Sequence, residues 1–200
     1  SQFRNAHVVS INNSESFHIR NLSIKNGNTN DGAGLRIYDS SNIIIEDCII
    51  ADNISNNNGA GIELVNSTLQ IISTTFHSNI SQNGISCIVS SLSDIHIKNS
   101  LFYDNVSYAS SGVSSLIGSW EGNLVLENTT IIKNDIPGYM IHSERNNCEI
   151  LNSIIYDVNT GSIAYGNNNS TLSVSYSNIE NNLDGIFTDV GELILWDNII

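Results

Sequence analysis

The chain has 200 residues, 40% of them hydrophobic, and carries seven Lys and Arg against 20 Asp and Glu, a formal net charge of −13. A domain of this length can bury a core, and so negative a surface argues against nucleic acid as a partner. No stretch approaches the roughly 20 apolar residues of a membrane-spanning helix, so we expect no direct membrane insertion of this segment.

A short pattern of apolar, hydroxyl and asparagine residues recurs along the chain. Its copies are "DCIIADN" around Ile50, "STTFHSN" around Phe76, "NSLFYDN" around Phe102 and "NTTIIKN" around Ile131, with weaker ones at Ile24, Ile155 and Ile179 and a truncated one at Ile199. The intervals between these anchor residues are 26, 26, 26, 29, 24, 24 and 20 residues. A repeat of this length indicates a solenoid, in which each repeat forms one rung.

Two further apolar columns precede the anchors. Five residues before them stand Ile19, Ile45, Ile71, Ile97, Leu126, Ile150, Val174 and Ile194. Seven residues before them stand Phe17, Ile43, Leu69, Ile95, Leu124, Cys148, Leu172 and, as the one break, Glu192. A spacing of two places both columns on one face of a strand, and the mixed column between them should face outward.

One rung illustrates the arrangement. Its strands are Gly61–Val65, Thr68–Ile72 and Thr74–Ser78, and a longer loop follows. Since no helical periodicity competes with this pattern, the sequence predicts an all-β, right-handed parallel β-helix of about eight rungs with three short strands each. We expect residues 1–200 to form a single domain that is a fragment of a longer secreted or surface protein.

Asparagines stand in register with the rungs. One column lies three residues before the anchors and contains Asn21, Asp47, Ser73, Asn99, Asn128 and Asn152. Another lies three residues after them and contains Asn53, Asn79, Asn105, Asn134 and Asn182. Asparagine tolerates left-handed backbone and can bond to its equivalents above and below, so we expect tight corners and an asparagine ladder.

Hydroxyl residues and cysteines complete the interior. Thr74, Ser100, Thr129, Ser153 and Ser177 should fill a narrow inner corner beside the anchors. Cys48, Cys87 and Cys148 lack metal-binding spacing, so we expect buried free thiols.

"GAGL" (Gly32–Leu35) and "GAGI" (Gly59–Ile62) precede "FHSN" (Phe76–Asn79) and "FYDN" (Phe102–Asn105). These segments resemble the GGA[ILV] and FxxN repeats of polymorphic outer-membrane-protein β-helices and, more broadly, the pectin-lyase-like superfamily. The resemblance spans essentially the whole chain. It implies a secreted or surface-displayed bacterial protein, either an adhesin or stalk or an enzyme that acts on acidic polysaccharides.

The resemblance places an enzyme's site on the outer face of the first strand, where Arg36 and Glu63 lie about one rung apart. A surface ion pair explains these two residues equally well. His18 and His96 share a column three rungs apart, too far to share a proton or a metal. Asp52, Asp104 and Asp157 share another column, which we interpret as a solvated strand face. No catalytic residue is therefore assigned, and Glu63 and Arg36 remain the candidates.

Aromatic residues are the candidate ligand-binding residues. His77 and Tyr103 follow the anchors of neighbouring rungs, and Tyr156 lies two rungs further, so an outward strip could stack on sugar rings; cross-strand packing is the alternative. Trp120, in the loop "GSWEGN", is expected to stand clear of the core. That loop belongs to the longest interval, and insertions on solenoids collect on binding faces.

Two loops could hold calcium, Asn26–Gly32 with Asp31 and Glu180–Gly185 with Asp184. Both offer oxygen ligands and glycine, but neither matches the twelve-residue calcium loop. Turns rich in Asn and Gly are also what the corners of a β-helix need, so we assign no metal site or cofactor, and Asp31 and Asp184 remain the candidates for Ca²⁺.

The expected function is a non-catalytic extracellular or bacterial cell-surface module for adhesion, with a glycan or a cell-surface protein as its partner. The alternatives are a polysaccharide-active lyase, hydrolase or epimerase, and a structural spacer or filament subunit. In the last case the end rungs would associate end to end by strand addition.

Overall fold

The computed structural model describes residues 6–109, 114–158, 163–166, 170–179, 186–188 and 192–197. Within these ranges every regular element is a β-strand, which confirms the all-β prediction. None of the described residues belongs to a helix long and apolar enough to cross a membrane.

The strands are short, with two to six residues each. In chain order they are β1 (Val9–Asn12), β2 (Phe17–Arg20), β3 (Ser23–Lys25), β4 (Asn28–Thr29), β5 (Leu35–Tyr38), β6 (Ile43–Glu46), β7 (Ile49–Ala51), β8 (Ile54–Ser55), β9 (Ile62–Val65), β10 (Thr68–Ile72), β11 (Thr75–His77), β12 (Ile80–Ser81), β13 (Ile88–Ser91), β14 (Asp94–Lys98), β15 (Leu101–Tyr103), β16 (Val106–Ser107), β17 (Ser115–Trp120), β18 (Asn123–Glu127), β19 (Thr130–Asn134), β20 (Tyr139–Glu144), β21 (Asn147–Leu151), β22 (Ile154–Val158), β23 (Ile163–Gly166), β24 (Thr171–Ser175), β25 (Asn178–Ile179), β26 (Ile186–Thr188) and β27 (Glu192–Asp197).

Four sheets form because each strand pairs in parallel with its equivalents one rung away. The first sheet has the order β1-β5-β9-β13-β17-β20-β23-β26, the second β2-β6-β10-β14-β18-β21-β24-β27, the third β3-β7-β11-β15-β19-β22-β25 and the fourth β4-β8-β12-β16. The chain visits the sheets in turn and returns one rung further, which is a parallel β-helix. The short fourth sheet lies where the sequence predicted only a loop, so part of the helix has four strands per rung.

The predicted columns coincide with the observed register. Phe76 pairs with Ile50 on one side and with Phe102 on the other, and the two phenylalanine rings stack with centroids 4.5 Å apart. Ile71 likewise lies between Ile45 and Ile97. The anchors from Ile24 to Ile179 are at most 2% exposed, and all three cysteines are buried as predicted. The core is therefore a continuous stack of equivalent side chains at the strand spacing of about 4.8 Å.

The register departs from the prediction in the last rung. A β-bulge places Leu193 opposite Leu172 and Trp196 opposite Val174, so Glu192 and Ile194 are not in the predicted columns. A bulge inserts an unpaired residue, and no fixed interval in the sequence can show it. Phe17 shares a core column but is 45% exposed, because β2 is the edge strand of its sheet. Ile199 and Asn182 lie outside the described residues.

The corners between sheets are columns of left-handed residues. The first column is Asn13, Asp39, Asn66, Leu92, Glu121 and Arg145; the second is Asn21, Asp47, Ser73, Asn99, Asn128, Asn152 and Tyr176; the third is Asn26, Asp52, Ser78, Asp104 and Lys133. The second column confirms the corner predicted from asparagines. The third corrects an interpretation, since Asp52 and Asp104 have φ values of 55° and 52° and belong to a turn rather than to a strand face.

Inside the third corner an asparagine ladder runs through four rungs. The Nδ2 atoms of Asn53, Asn79 and Asn105 each donate to the Oδ1 atom of the next asparagine, ending at Asn134, over 2.9–3.0 Å. The same oxygens accept backbone N–H groups one rung away. Because these asparagines are at most 2% exposed, the ladder satisfies polar groups that water does not reach.

The FxxN and GAG motifs supply residues to the core and to the asparagine ladder or make room for them. The phenylalanine of each FxxN segment is an anchor, and its asparagine belongs to the ladder. In the first GAG segment, a Cβ atom at Gly34 would lie 2.5 Å from the carbonyl oxygen of Gly61 and 3.0 Å from Asn53 Nδ2, so a side chain would collide with both.

Hydroxyl groups complete the second corner as expected. The Thr74 and Thr129 N–H groups donate to the hydroxyls of Ser100 and Ser153, the next residues of the hydroxyl column.

Replacing Asn105 with Ala should lower the free energy of unfolding by about 2–4 kcal/mol, because it leaves several buried donors and acceptors without partners. Urea denaturation measures this change. Asn83→Ala is the matched control, since Asn83 is exposed and makes one exposed hydrogen bond to Asn56. Equal losses for the two variants would contradict a stabilising ladder.

Candidate functional site

Arg36 and Glu63, the candidate catalytic pair, meet on the outer face of the first sheet. They occupy paired positions in β5 and β9, and Arg36 Nε lies 3.3 Å from Glu63 Oε2. Tyr38 joins them: its hydroxyl donates to Glu63 Oε1 over 2.7 Å and accepts from Arg36 Nη2 over 3.1 Å. The guanidinium carbon also lies 4.4 Å from the centre of the Tyr38 ring. The sequence analysis paired the two charges but missed the tyrosine, which stands on the outward side two residues after Arg36.

The surroundings of Glu63 are crowded on both sides of its carboxylate. Burial, followed by the hydrogen bond to Glu63, raises the pKa of Tyr38, so the phenol remains a donor. The Glu63 side chain is 15% exposed, and a Cβ atom at Gly32 would lie 2.8 Å from its Cβ atom. Because Tyr38 and Arg36 face both carboxylate oxygens, the carboxylate is poorly placed to take a proton from a substrate.

Trp120 does not stand in an exposed loop, so that prediction was wrong. It is the last residue of β17, half-buried, and pairs in register with Ser91 and Glu144. The extra residues of the longest interval precede Trp120. Ser107 still pairs with Ser81, 26 residues before it, whereas Ile117 pairs with Ile88, 29 residues before it, so the extra residues lie between Ser107 and Ile117. The indole packs against Gly118, where a Cβ atom would lie 2.8 Å from the ring, and its Nε1 donates to Glu144 Oε2 over 3.0 Å.

His142 completes the group around Trp120. The two rings meet edge to face with centroids 5.3 Å apart, and His142 Nδ1 is buried without a hydrogen-bond partner. Burial lowers the pKa of His142, and Glu144 partly opposes this effect. The tryptophan is therefore held by its neighbours, and the group acts as a packed surface rather than as an open aromatic platform.

His77, Tyr103 and Tyr156 share one outward column of the third sheet, as the sequence analysis placed them. Tyr103 pairs with His77 on one side and with Ile132 on the other, and Ile132 pairs with Tyr156. The rings of His77 and Tyr103 stack with centroids 5.2 Å apart at an angle of 18°. Each of these two rings therefore covers one face of the other, and His77 Nδ1 lies 3.2 Å from Ser78 Oγ, whereas Tyr156 is 54% exposed.

A second outward column makes this face largely apolar. It contains, in register, Ile49, Thr75, Leu101, Thr130 and Ile154. Together with His77, Tyr103, Ile132, Tyr156 and the buried Ala51, these residues define what we call the third-sheet face. Its ten positions include no Asp, Glu, Lys or Arg, although the chain carries 27 such residues; the rung before Ala51 extends the two columns with Ser23 and Lys25. At the strand spacing its five rungs span about 19 Å.

A shallow pocket of about 290 Å³ adjoins the third-sheet face. It is lined by Asn152, Ser153, Ile154, Tyr176, Ser177 and Asn178. Tyr176 is 58% exposed, and its backbone is left-handed with a φ of 51°, as at the other residues of the second corner. Ile154 provides an apolar floor, and Asn152 and Asn178 provide amide groups beside it. Sequence reasoning missed this pocket because Tyr176 replaces the asparagine or serine of that column.

A larger groove lies elsewhere, along the first corner. It has a volume of about 680 Å³, and a groove of about 420 Å³ adjoins it on the second sheet through Thr68 and Asp94. In both grooves, polar side chains of neighbouring rungs bond to one another. Asn66 donates to Asp39 over 2.7 Å, and Asn123 donates to Asp94 over 2.6 Å. These side chains therefore form a surface ladder rather than a set of free groups that converge on a ligand.

The metal candidates do not form a cluster. Asp31 Oδ1 accepts the backbone N–H of Asn58 over 3.0 Å, which joins two rungs, and Asp184 lies outside the described residues. Among the described residues no three His, Cys, Asp or Glu side chains group closely enough to hold a metal ion. His18 and His96 stay three rungs apart, beside Glu46 and Glu127 respectively.

Comparison with known families agrees with this architecture. Residues 53–192 match the family described as "Right handed beta helix region". No curated protein matches the chain.

Because its folded-state pKa is lowered, His142 should make stability depend on pH. Below the ordinary histidine value of about 6.5 the unfolded chain binds a proton that the folded protein resists, so stability is present above this pH and falls as pH decreases. His142→Gln should reduce this loss between pH 7.5 and 5, measured by thermal unfolding. The control His18→Gln, at an exposed position, should not reduce it. An unchanged loss in His142→Gln would contradict the assignment.

Proposed function

The chain belongs to the right-handed β-helix family, and from this premise we propose that it is a non-catalytic module that binds a glycan through the third-sheet face. One observation carries the proposal: the outward positions of five successive rungs bear no formal charge, and three of them, Ile49, Ile154 and Tyr156, are exposed apolar or aromatic side chains. Exposed apolar surface that is continuous over several residues is typical of an interaction site. Tyrosine is suited to glycan contact because it combines an apolar ring with a hydroxyl group.

The size of the face favours a glycan over a stable protein partner. Two outward positions per strand over five rungs give an area on the order of 300 Å². Stable protein interfaces bury roughly 800 Å² on each partner. An oligosaccharide that runs along the helix axis would cover the face, and the Tyr176 pocket would hold one sugar ring between its two asparagines.

An extracellular or bacterial cell-surface location is part of the proposal. It is supported by the likeness of the GAG and FxxN segments to the repeats of polymorphic outer-membrane-protein β-helices. In this setting the chain is one module of a longer adhesin, and Ca²⁺ is not needed for its contact with the glycan. A structural spacer that associates end to end through its edge strands is the alternative without a ligand.

Tyr156→Ala and Tyr176→Ala should each weaken glycan binding about three- to tenfold, since one aromatic contact contributes about 0.5–1.5 kcal/mol. A glycan array identifies the ligand, and titration calorimetry measures the affinities. Tyr108→Ala is the matched control, because Tyr108 is 60% exposed but follows the fourth sheet. Equal affinities for all three variants and the wild-type protein would contradict binding at this face.

A second candidate function is a polysaccharide-active enzyme, favoured by the grouping of Arg36, Tyr38 and Glu63 on the first sheet. Incubation with polyuronates tests it, with unsaturated products and new reducing ends as the signals. We expect neither product, because Tyr38 donates to Oε1 of Glu63 and the other carboxylate oxygen is buried, 3.3 Å from Arg36 Nε. Turnover by the wild-type protein that Glu63→Gln abolishes would replace the binding proposal with the enzymatic one. Arg20→Gln, at another exposed ion pair, is the control.

A further inference from the structure

We infer that the third-sheet face selects an uncharged polysaccharide and rejects polyuronates; this inference rests on the proposed glycan binding and specifies its ligand. The floor of the face offers hydroxyl groups, one imidazole and apolar surface. A neutral sugar chain can satisfy such groups with its own hydroxyls and C–H surfaces. Over these five rungs a uronate carboxylate would lose water without gaining a cationic partner, since Lys25, the cation in this column, lies one rung beyond Ala51.

The corners that border the face add electrostatic repulsion. The third corner places the exposed side chains of Asp52 and Asp104 on one side, and the second corner places the exposed Asp47, which lies 3.5 Å from Arg20 Nε, on the other. Lys133 is the cation of the third corner. A sugar chain on the face would lie within about 8 Å of these carboxylates, the distance over which charges interact at physiological salt. The net charge of −13 acts in the same direction.

The third corner also provides a substitution that changes charge without changing the backbone. Lys133 has a φ of 53°, close to the 55° of Asp52 and the 52° of Asp104, so this corner already accepts lysine in the left-handed conformation. Asp52→Lys with Asp104→Lys therefore reverses the charge of the border and leaves the floor intact. The matched control is Asp52→Asn with Asp104→Asn, because Asn26 shows that this corner accepts asparagine.

The test measures binding of cellohexaose, mannohexaose and hexagalacturonate to the whole chain by titration calorimetry at 50 and 500 mM NaCl. We expect at least one neutral hexasaccharide to bind with an affinity that changes less than twofold with salt, and hexagalacturonate to bind at least tenfold more weakly. The lysine variant should bind hexagalacturonate at least tenfold more tightly than the wild-type protein, mainly at low salt. Its affinity for the neutral ligand should remain within twofold.

The outcomes separate this inference from the proposal on which it rests. Tight binding of hexagalacturonate to the wild-type protein, lost in Tyr156→Ala, would overturn the charge selectivity and leave glycan binding in place. Binding of none of the three ligands, together with no response on the glycan array, would overturn both. Sedimentation experiments test a third outcome. If the chain associates with increasing concentration and Tyr156→Ala abolishes this association, the face binds a second copy of the chain, and the inference is overturned.

Discussion

In-register stacking of parallel rungs is the constraint on which the other features depend. A single rung cannot bury its apolar side chains, and its strands are too short to be stable alone, so each rung relies on the hydrogen bonds and the core of its neighbours. The buried ladder from Asn53 to Asn134 reinforces this register, because a rung shifted by one residue would leave its amides without partners. Equivalent residues therefore become vertical neighbours, and any property repeated in the sequence becomes a continuous surface.

The outer surfaces of the protein differ in how many of their polar side chains are already hydrogen-bonded or ion-paired to neighbouring side chains. On the first sheet, Tyr38 and Arg36 enclose the Glu63 carboxylate, and Glu144 holds the indole of Trp120. Along the first corner, amide and carboxylate groups bond from rung to rung. The third-sheet face bears no formal charge at its ten positions, and the side chains of Ile49, Ile154 and Tyr156 are exposed there and open to a ligand. For this reason, and not because of groove volume, we propose the third sheet as the binding surface.

A repeating surface suits a repeating ligand. The spacing between rungs is constant, so a polymer that runs along the axis meets similar groups at each step, and several weak contacts add up without a deep pocket. The Tyr176 pocket breaks the repetition and would set the register of such a polymer. A catalytic site, in contrast, needs a single place where acid and base converge on one atom. The paired and enclosed charges around Arg36 do not provide such a place.

The sequence alone determined the stacking: the interval between anchors such as Phe76 and Phe102, the apolar columns and the corner asparagines are local periodic signals, and the described rungs follow them. It also placed His77, Tyr103 and Tyr156 in one column and Arg36 beside Glu63. Only the tertiary structure decided how these side chains lie. The stacking of His77 on Tyr103, the contact of Trp120 with Gly118, the turn conformation of Asp52 and the bulge beside Leu172 depend on contacts between rungs. A linear pattern shows which residues are neighbours, whereas ring orientation, burial and local shifts in register arise from packing in three dimensions.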